Sequence, residues 1–269
     1  MKKRIFTFWE PKENLTGYIR LCIKTWEKHL PEYEIVVCDY DNLKNYLPKK
    51  VVKAIVCKKM SLAMQSDAIR SALLKYHAGI WMDADTIITT SSVLSELDKS
   101  NCTMIGRKSD EVIYGAFIYT RKPNCDFMNE WFKACLSHIR LFRKARIFKK
   151  IGLCKKLYKK TRNWDWCSNA IIDPLAKKMN SKEFYCVDKN ELNALPEYTE
   201  NEILKNEDKL KNYQEFWFKQ GDYQSILSEN KGIILLHNSW TPIEYKKMDE
   251  DQFLKQDILL SKLLKEVLK

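Results

Sequence analysis

Two aspartates, Asp83 and Asp85, stand one residue apart in the stretch WMDADT at positions 81–86. On an extended chain, carboxylates at i and i+2 project to the same side. Hard oxygen ligands so arranged suit Mn²⁺ or Mg²⁺, and such a cation keeps coordination positions open for phosphate oxygens. A solvated turn at a strand end fits the same spacing, so the pair alone leaves both readings open. Upstream, Asp67 and Arg70 lie three apart, which puts them on one helix face as a structural ion pair or as ligand-binding groups. Near the far end, HNSW at 237–240 follows an apolar run. His237 offers a third metal ligand, and Trp240 offers an aromatic platform; a satisfied structural histidine is the plainer alternative. A further polar cluster, NWDWCSN at 163–169, holds Asp165 and Asn169. These can contact a ligand, although Asp165 between two tryptophans also suits a helix N-cap.

The elements that must position these residues are read from hydrophobic periodicity. Residues 5–9 (IFTFW) read as a buried opening strand, with Asn14 as the cap of the helix that follows. There Leu15, Ile19, Cys22, Ile23 and Trp26 recur at helical spacing. Residues 34–38 (EIVVC) form a second strand, and strand–helix–strand with short links predicts a parallel βαβ unit. A helix is predicted over 62–76, ending near Gly79, with a strand over 80–82 that runs into Asp83. Strands over 103–105 and 113–120 follow, then a helix from Pro123 through His138. A helix over 165–179 bends near Pro174. A late buried strand covers 233–236, and 252–269 reads as one amphipathic helix. Ligands collect at strand ends in open α/β sheets, which favours the functional reading of Asp85 and His237.

With those motifs in place, the chain resembles the DxD glycosyltransferases of family 32, including bacterial capsular polysaccharide synthesis enzymes, and more distantly the large clostridial glucosylating toxins. The matching stretches are IFTFW, TWEKHLPEYEIVVCDYD, MQSDAIRSALLKYHAGIWMDADTIITT and HNSW. SDxxR followed by a DxD is far more specific than DxD alone. The resemblance implies an α/β GT-A fold, a Rossmann-like nucleotide-sugar-binding sheet flanked by helices, as one domain over 1–269. It implies that Phe8 and Trp9 meet the donor base, that Asp67 and Arg70 hold donor hydroxyls or a phosphate, and that Trp81 packs beside the donor. Asp83 then contacts ribose, sugar or metal-bound water. Asp85 binds Mn²⁺ or Mg²⁺, His237 completes the metal site with Asn238 and Ser239 behind it, Ser239 also meets the donor, and Trp240 covers the diphosphate or closes the site. The catalytic set it implies is Asp83, Asp85 and Arg70, joined by Asp165 or Asn169. The implied reaction retains anomeric configuration and moves a hexose or N-acetylhexosamine from a UDP-sugar to a glycan acceptor. Two departures stand out: Ala78-Gly79-Ile80-Trp81 replaces the usual Gly-Gly-x-Tyr, and Glu10-Pro11 replaces a Gly-Gly after the first strand.

Charge distribution adds a partner. The net charge is +12, yet eleven Lys or Arg and no acid fall within 139–162, so the remainder is near neutral. Cations alternating with Leu, Phe, Ile and Tyr suit a basic helical insertion docked on an anionic membrane, next to a polyprenyl-diphosphate-linked acceptor. Nucleic-acid binding is the rival use of that charge, but no nucleic-acid motif accompanies it. No apolar run reaches the roughly 18 residues of a membrane span, and the opening apolar stretch is too short for a signal peptide. The expectation is a cytoplasmic protein, peripheral on the inner face of the plasma membrane. The nine scattered cysteines lack zinc spacing and read as reduced, mostly buried thiols. Two other classes remain: a non-catalytic glycan- or nucleic-acid-binding protein, and a DxDxT phosphatase. The latter lacks its later acid pair, because Ile226 falls where a second acid is needed after Gly221-Asp222.

Overall fold

The computed structural model describes residues 3–97, 99–108, 112–150, 155–196 and 206–269. Among them the strands are β1 (Lys3–Phe8), β2 (Tyr33–Cys38), β3 (Gly79–Met82), β4 (Thr86–Ile88), β5 (Cys102–Arg107), β6 (Val112–Thr120), β7 (Phe184–Asp188) and β8 (Ile233–Leu235). The helices before residue 190 start with α1 (Gly17–His29), α2 (Lys49–Ile55), α3 (Leu62–Tyr76) and α4 (Asp126–Lys150). They continue with α5 (Lys155–Lys160), α6 (Asn169–Ala176) and α7 (Lys189–Leu192). The rest are α8 (Asn206–Trp217), α9 (Tyr223–Glu229), α10 (Ile243–Lys246), α11 (Glu250–Leu254) and α12 (Leu259–Leu268).

Six strands form the central sheet in the order β2-β1-β3-β6-β5-β7. β2, β1 and β3 run parallel, the Rossmann-like half that the βαβ pattern predicts. β6 enters antiparallel between β3 and β5, and β7 lies parallel to β5. Alternate strand residues face opposite sides. Ile5, Ile80 and Met82 join Ile19, Cys22 and Trp26 of α1 in one core, together with Leu260 and Leu264 of α12. Phe6, Phe8 and Trp81 join Ala68 and Ala72 of α3 and Trp131 of α4 in the other. Helices therefore cover both faces, and the α/β expectation holds.

Local chemistry explains the elements around the site. The Ser61 hydroxyl accepts the Met64 N–H and caps α3. Gly79, which opens β3, has φ +136°, and a Cβ there would lie 2.4 Å from the Arg4 carbonyl oxygen, so only glycine lets β3 approach β1. After β3 the chain leaves the main sheet, and β4 pairs antiparallel with β8 in a separate ribbon.

Several boundaries differ from expectation. Asn14 ends a 3₁₀ turn (Lys12–Asn14), and Thr16 occupies the N-cap of α1. The helix predicted from Pro123 to His138 begins at Asp126 and runs on to Lys150, because Phe127, Trp131, Cys135, Ile139 and Phe142 continue a buried stripe into the basic segment. The helix predicted over 165–179 is split. A 3₁₀ turn (Trp164–Cys167) is followed by α6, since Ser168 at φ −115°, ψ −108° breaks the helical path. The single helix predicted over 252–269 is two, α11 and α12, and its apolar side chains Leu259, Leu260, Leu263, Leu264 and Val267 are buried in the core. α2 and β7 were not anticipated. The eight described cysteines are free, six of them buried. Cys154 and the rest of 151–154 in the basic segment lie outside the described residues.

Candidate active site

The acids sit where the two sheets part. The Asp83 N–H donates to the Ala116 carbonyl at 2.8 Å, and the Thr86 N–H donates to the Asp83 carbonyl at 3.0 Å, so residues 83–86 turn tightly out of β3. Because β8 pairs with β4, the residues after β8 return to the same spot. The Leu236 N–H donates to the Asp85 backbone carbonyl at 3.2 Å. The Asn238 N–H donates to the Asp85 carboxylate at 2.6 Å. His237 is thus bracketed by two residues bonded to Asp85.

Asp83 is gripped from below. Its Oδ1 accepts the indole N–H of Trp81 at 2.9 Å and lies 3.1 Å from Arg70 Nη2. Arg70 also reaches Asp67 at 3.3 Å and the Ser66 hydroxyl at 3.2 Å, and it donates to the Gly115 carbonyl. Its guanidinium lies 4.9 Å from the Trp81 ring centroid, within cation–π range. Gly115 makes the room: a Cβ there would lie 2.8 Å from Arg70 Nη1. β6 shifts register against β5 here, Met104 facing Ile118 while Ile105 faces Tyr114, which leaves Gly115–Phe117 unpaired on that side. Such bulges re-aim backbone groups beside active sites. Here the bulge turns the Gly115 carbonyl to Arg70 and the Ala116 carbonyl to Asp83. Trp81 is fully buried, so it acts on a ligand only through Asp83 and Arg70, whereas the Asp83 side chain is 33% exposed.

Electrostatics follow from this crowding. Burial raises the Asp67 carboxyl to about 6; Arg70 and a hydrogen bond with Ser168 oppose the rise, while Asp83 and Asp165 add to it. Burial and the Asp83 charge hold Asp85 well above the usual carboxylate range, against the pull of the Asn238 N–H. Burial lowers His237 to about 4. It is therefore neutral at physiological pH, the form that ligates metals. The ring packs 4.4 Å from Trp240 and 5.5 Å from Tyr213 between centroids, and the His237 backbone N–H donates to the Tyr213 hydroxyl at 3.0 Å.

Among the described residues, no three His, Cys, Asp or Glu side chains converge into a ready-made metal cage. A divalent cation nevertheless fits the donor set. Asp83 and Asp85 are hard oxygen donors whose mutual repulsion is only partly relieved, and a cation that keeps water and phosphate ligands needs few protein groups.

The remaining candidates are arranged as follows. Asp165 is half-buried and acts electrostatically on both Asp67 and Asp173. The Asn169 amide is committed to the Ile113 carbonyl at 2.8 Å and to Asp173 at 3.0 Å. Phe8 packs on Tyr40 at 5.4 Å. Trp9 follows β1, half-buried, with its N–H on the Cys38 carbonyl at 2.9 Å. Ser239 is exposed, and the Trp240 carbonyl accepts from the Gln214 amide at 2.9 Å. Asp222 caps α9 by accepting from Gln224 and Ser225, a local use that accounts for its carboxylate.

Sequence reasoning missed four residues here. The Tyr18 hydroxyl donates to the Asn238 side chain, and Asp85 adds to the rise that burial imposes on this phenol. Tyr213 supports His237. Lys246, on α10, has its ammonium lowered by burial and feels Asp85 in the opposite sense, which brings a cation into the field of the acid pair. Gly115 did carry a signal, because glycine inside an aromatic strand marks a close approach. Tyr18, 220 residues from Asn238, carried none.

Residues 1–147, more than half of the 269, match the family described as capsular polysaccharide synthesis protein. The chain belongs to that family. Asp67, Arg70, Trp81, Asp83, Asp85 and Gly115 lie within the matched part; His237, Trp240 and Lys246 of this capsular polysaccharide synthesis protein lie beyond it. No match is found among curated proteins. Among solved structures, "PaToxG Glycosyltransferase" is similar at 16% identity and TM-score 0.36 over 66% of this chain and 76% of that one. The glycosyltransferase GlyE of Streptococcus pneumoniae TIGR4 is similar at 11% identity and TM-score 0.46, and its apo form at 11% and 0.43, each over 99% of this chain. This chain spans 59% and 60% of the length of those two.

Proposed function

We propose that this capsular polysaccharide synthesis protein is a metal-dependent glycosyltransferase acting on a nucleotide sugar. The observation that carries the reading is the bond from the Asn238 N–H to the Asp85 carboxylate at 2.6 Å, which joins the DxD turn and the HNSW segment into one acid-lined site. Family membership supports a role in surface polysaccharide synthesis. The finer reading is a UDP-linked hexose or N-acetylhexosamine passed to a polyprenyl-diphosphate-linked glycan with retained configuration; it rests on the SDxxR–DxD resemblance.

Asp83 and Asp85 would hold Mn²⁺ or Mg²⁺, with His237 or Asn238 at its edge. When bound, the cation supplies Lewis-acid stabilisation of the diphosphate leaving group. The protein's own part is preorganisation. Trp81 and Arg70 fix the Asp83 carboxylate, so no reorientation is needed as charge develops. Lys246 brings a cation against the same developing charge. Asp67 and Asp165 offer acceptors for sugar hydroxyls, and Trp240, packed against His237, closes the site against water. The sequence marks no residue as a covalent nucleophile, which favours front-face attack by the acceptor hydroxyl.

Thermal unfolding with UDP or GDP, with and without Mn²⁺, tests the reading. Stabilisation by a nucleotide only when metal is present is expected, and Asp85→Ala should abolish it. Equal stabilisation in chelator would remove the metal-dependent reading.

A further inference from the structure

We propose that the hairpin of α4 and α5 docks this protein on an anionic phospholipid bilayer. The surface is independent of the transferase reading. The second half of α4 buries Phe142 and Ala145 but exposes Arg140, Lys144 and Lys149. Lys144 lies three and four residues before Ile147 and Phe148, so the three share a helix face. Ile147 is 63% exposed and Phe148 43%. α5 folds back through Tyr158, whose ring lies 5.9 Å from Phe142 and carries Lys149 at 4.5 Å. Between the helices runs an open groove lined by Lys149, Lys155, Lys156, Lys159, Lys160 and Arg162. Among the described residues none of these cations pairs with a carboxylate.

Like charges gathered in a groove repel one another, and an anionic partner offsets that repulsion. Apolar groups decide which anion. Trp164, 68% exposed, stands just beyond α5 in sequence, and with Ile147 and Phe148 it adds large hydrophobic side chains to the cationic hairpin. A lipid interface satisfies both features: headgroups take the cations and the acyl boundary takes the rings. A phosphate backbone would use the charge and leave the rings in water. The geometry also ties this surface to the candidate site. Trp164 opens the 3₁₀ turn that holds Asp165, one residue away, and Ser168 just after the turn acts on the Asp67 carboxyl. The turn is pinned to α4, with the Trp131 indole N–H on the Cys167 carbonyl at 2.8 Å and the His138 ring stacked 4.2 Å from Trp166. Docking thus turns the Asp165 side of the candidate site towards the bilayer.

Co-sedimentation of the full chain with vesicles tests this. The expected result is binding to phosphatidylcholine–phosphatidylglycerol vesicles, weakened by salt, and none to phosphatidylcholine alone. Replacing Lys155, Lys156, Lys159 and Lys160 together by Gln should lower partitioning by about 100-fold or more, at a few-fold per charge near the surface. Phe148→Ser combined with Trp164→Ser should lower it by about tenfold through lost apolar insertion. All six side chains are exposed, so unchanged far-UV circular dichroism is expected in both variants. Equal partitioning to neutral and anionic vesicles overturns the proposal. So does a lysine variant that binds like wild type, or tighter binding to an RNA or DNA duplex than to anionic vesicles at the same salt.

Discussion

The indole N–H of Trp81 donates to the Asp83 carboxylate across 2.9 Å, while the face of the same ring carries Arg70 at 4.9 Å. One buried side chain thereby sets both the acid and its counter-cation. The tryptophan that departs from the usual tyrosine before the DxD still supplies a donor, from the ring nitrogen instead of a hydroxyl.

Trp81→Phe keeps the hydrophobic packing and deletes that donor. A hydrogen bond to a charged group contributes about 1.5–3 kcal/mol, so we expect donor-sugar hydrolysis to fall by about 10- to 100-fold in a folded protein. Steady-state kinetics beside a thermal melt checks it. Wild-type hydrolysis in a folded variant would show that Asp83 needs no such support.

Gly115→Ala pushes a methyl to 2.8 Å from Arg70 Nη1. The guanidinium must shift off Asp83, so the activity loss should exceed the stability loss, which overpacking sets at about 1–3 kcal/mol. Urea unfolding and hydrolysis rates measured on the same samples separate the two effects. A large stability loss with unchanged turnover would exclude Gly115 from positioning Arg70.

Asp85→Asn tests the acid pair without metal. A carboxyl whose folded pKa is raised stabilises below its unfolded pKa and loses that contribution as pH rises through the folded value. At pH 8 in chelator, the asparagine variant should therefore melt no lower than wild type. Added Mn²⁺ should raise the wild-type melting temperature and leave the variant where it was. A variant that still responds fully to Mn²⁺ would place the cation elsewhere.

Asp67 provides a pH signature. Its carboxyl is raised to about 6 in the fold. Stability from Asp67 is thus complete below about pH 4 and declines through about pH 6, by about 2–3 kcal/mol. Asp67→Asn removes this dependence. The variant's unfolding free energy relative to wild type should improve between pH 4 and pH 7, as read from urea titrations at both. A constant difference would mean that Asp67 ionises as freely as in the unfolded chain.

The local pieces were legible in the residues. The short apolar run at 80–82 and helical spacing at 62–76 identify the two elements that carry Asp67, Arg70 and the acid pair, because such patterning is a property of the segment itself. The basic stretch at 139–162 was equally visible, but its helix boundary was not. α4 runs past His138 because the buried stripe that stabilises it packs on α2, α3 and α6, which no local window contains.

What the sequence alone determined about this protein is the chemistry on offer: paired acids after a strand, an Arg–Asp helix face, a histidine near the end and a basic helical segment. Only the tertiary structure decided which of these meet. The Asn238 N–H reaches Asp85 across 153 residues, and the Tyr18 hydroxyl reaches Asn238 across 220. Both contacts exist because β8 pairs with β4 outside the main sheet. Strand pairing depends on which backbone edges remain unfilled once the core has formed, and that is a property of the whole chain.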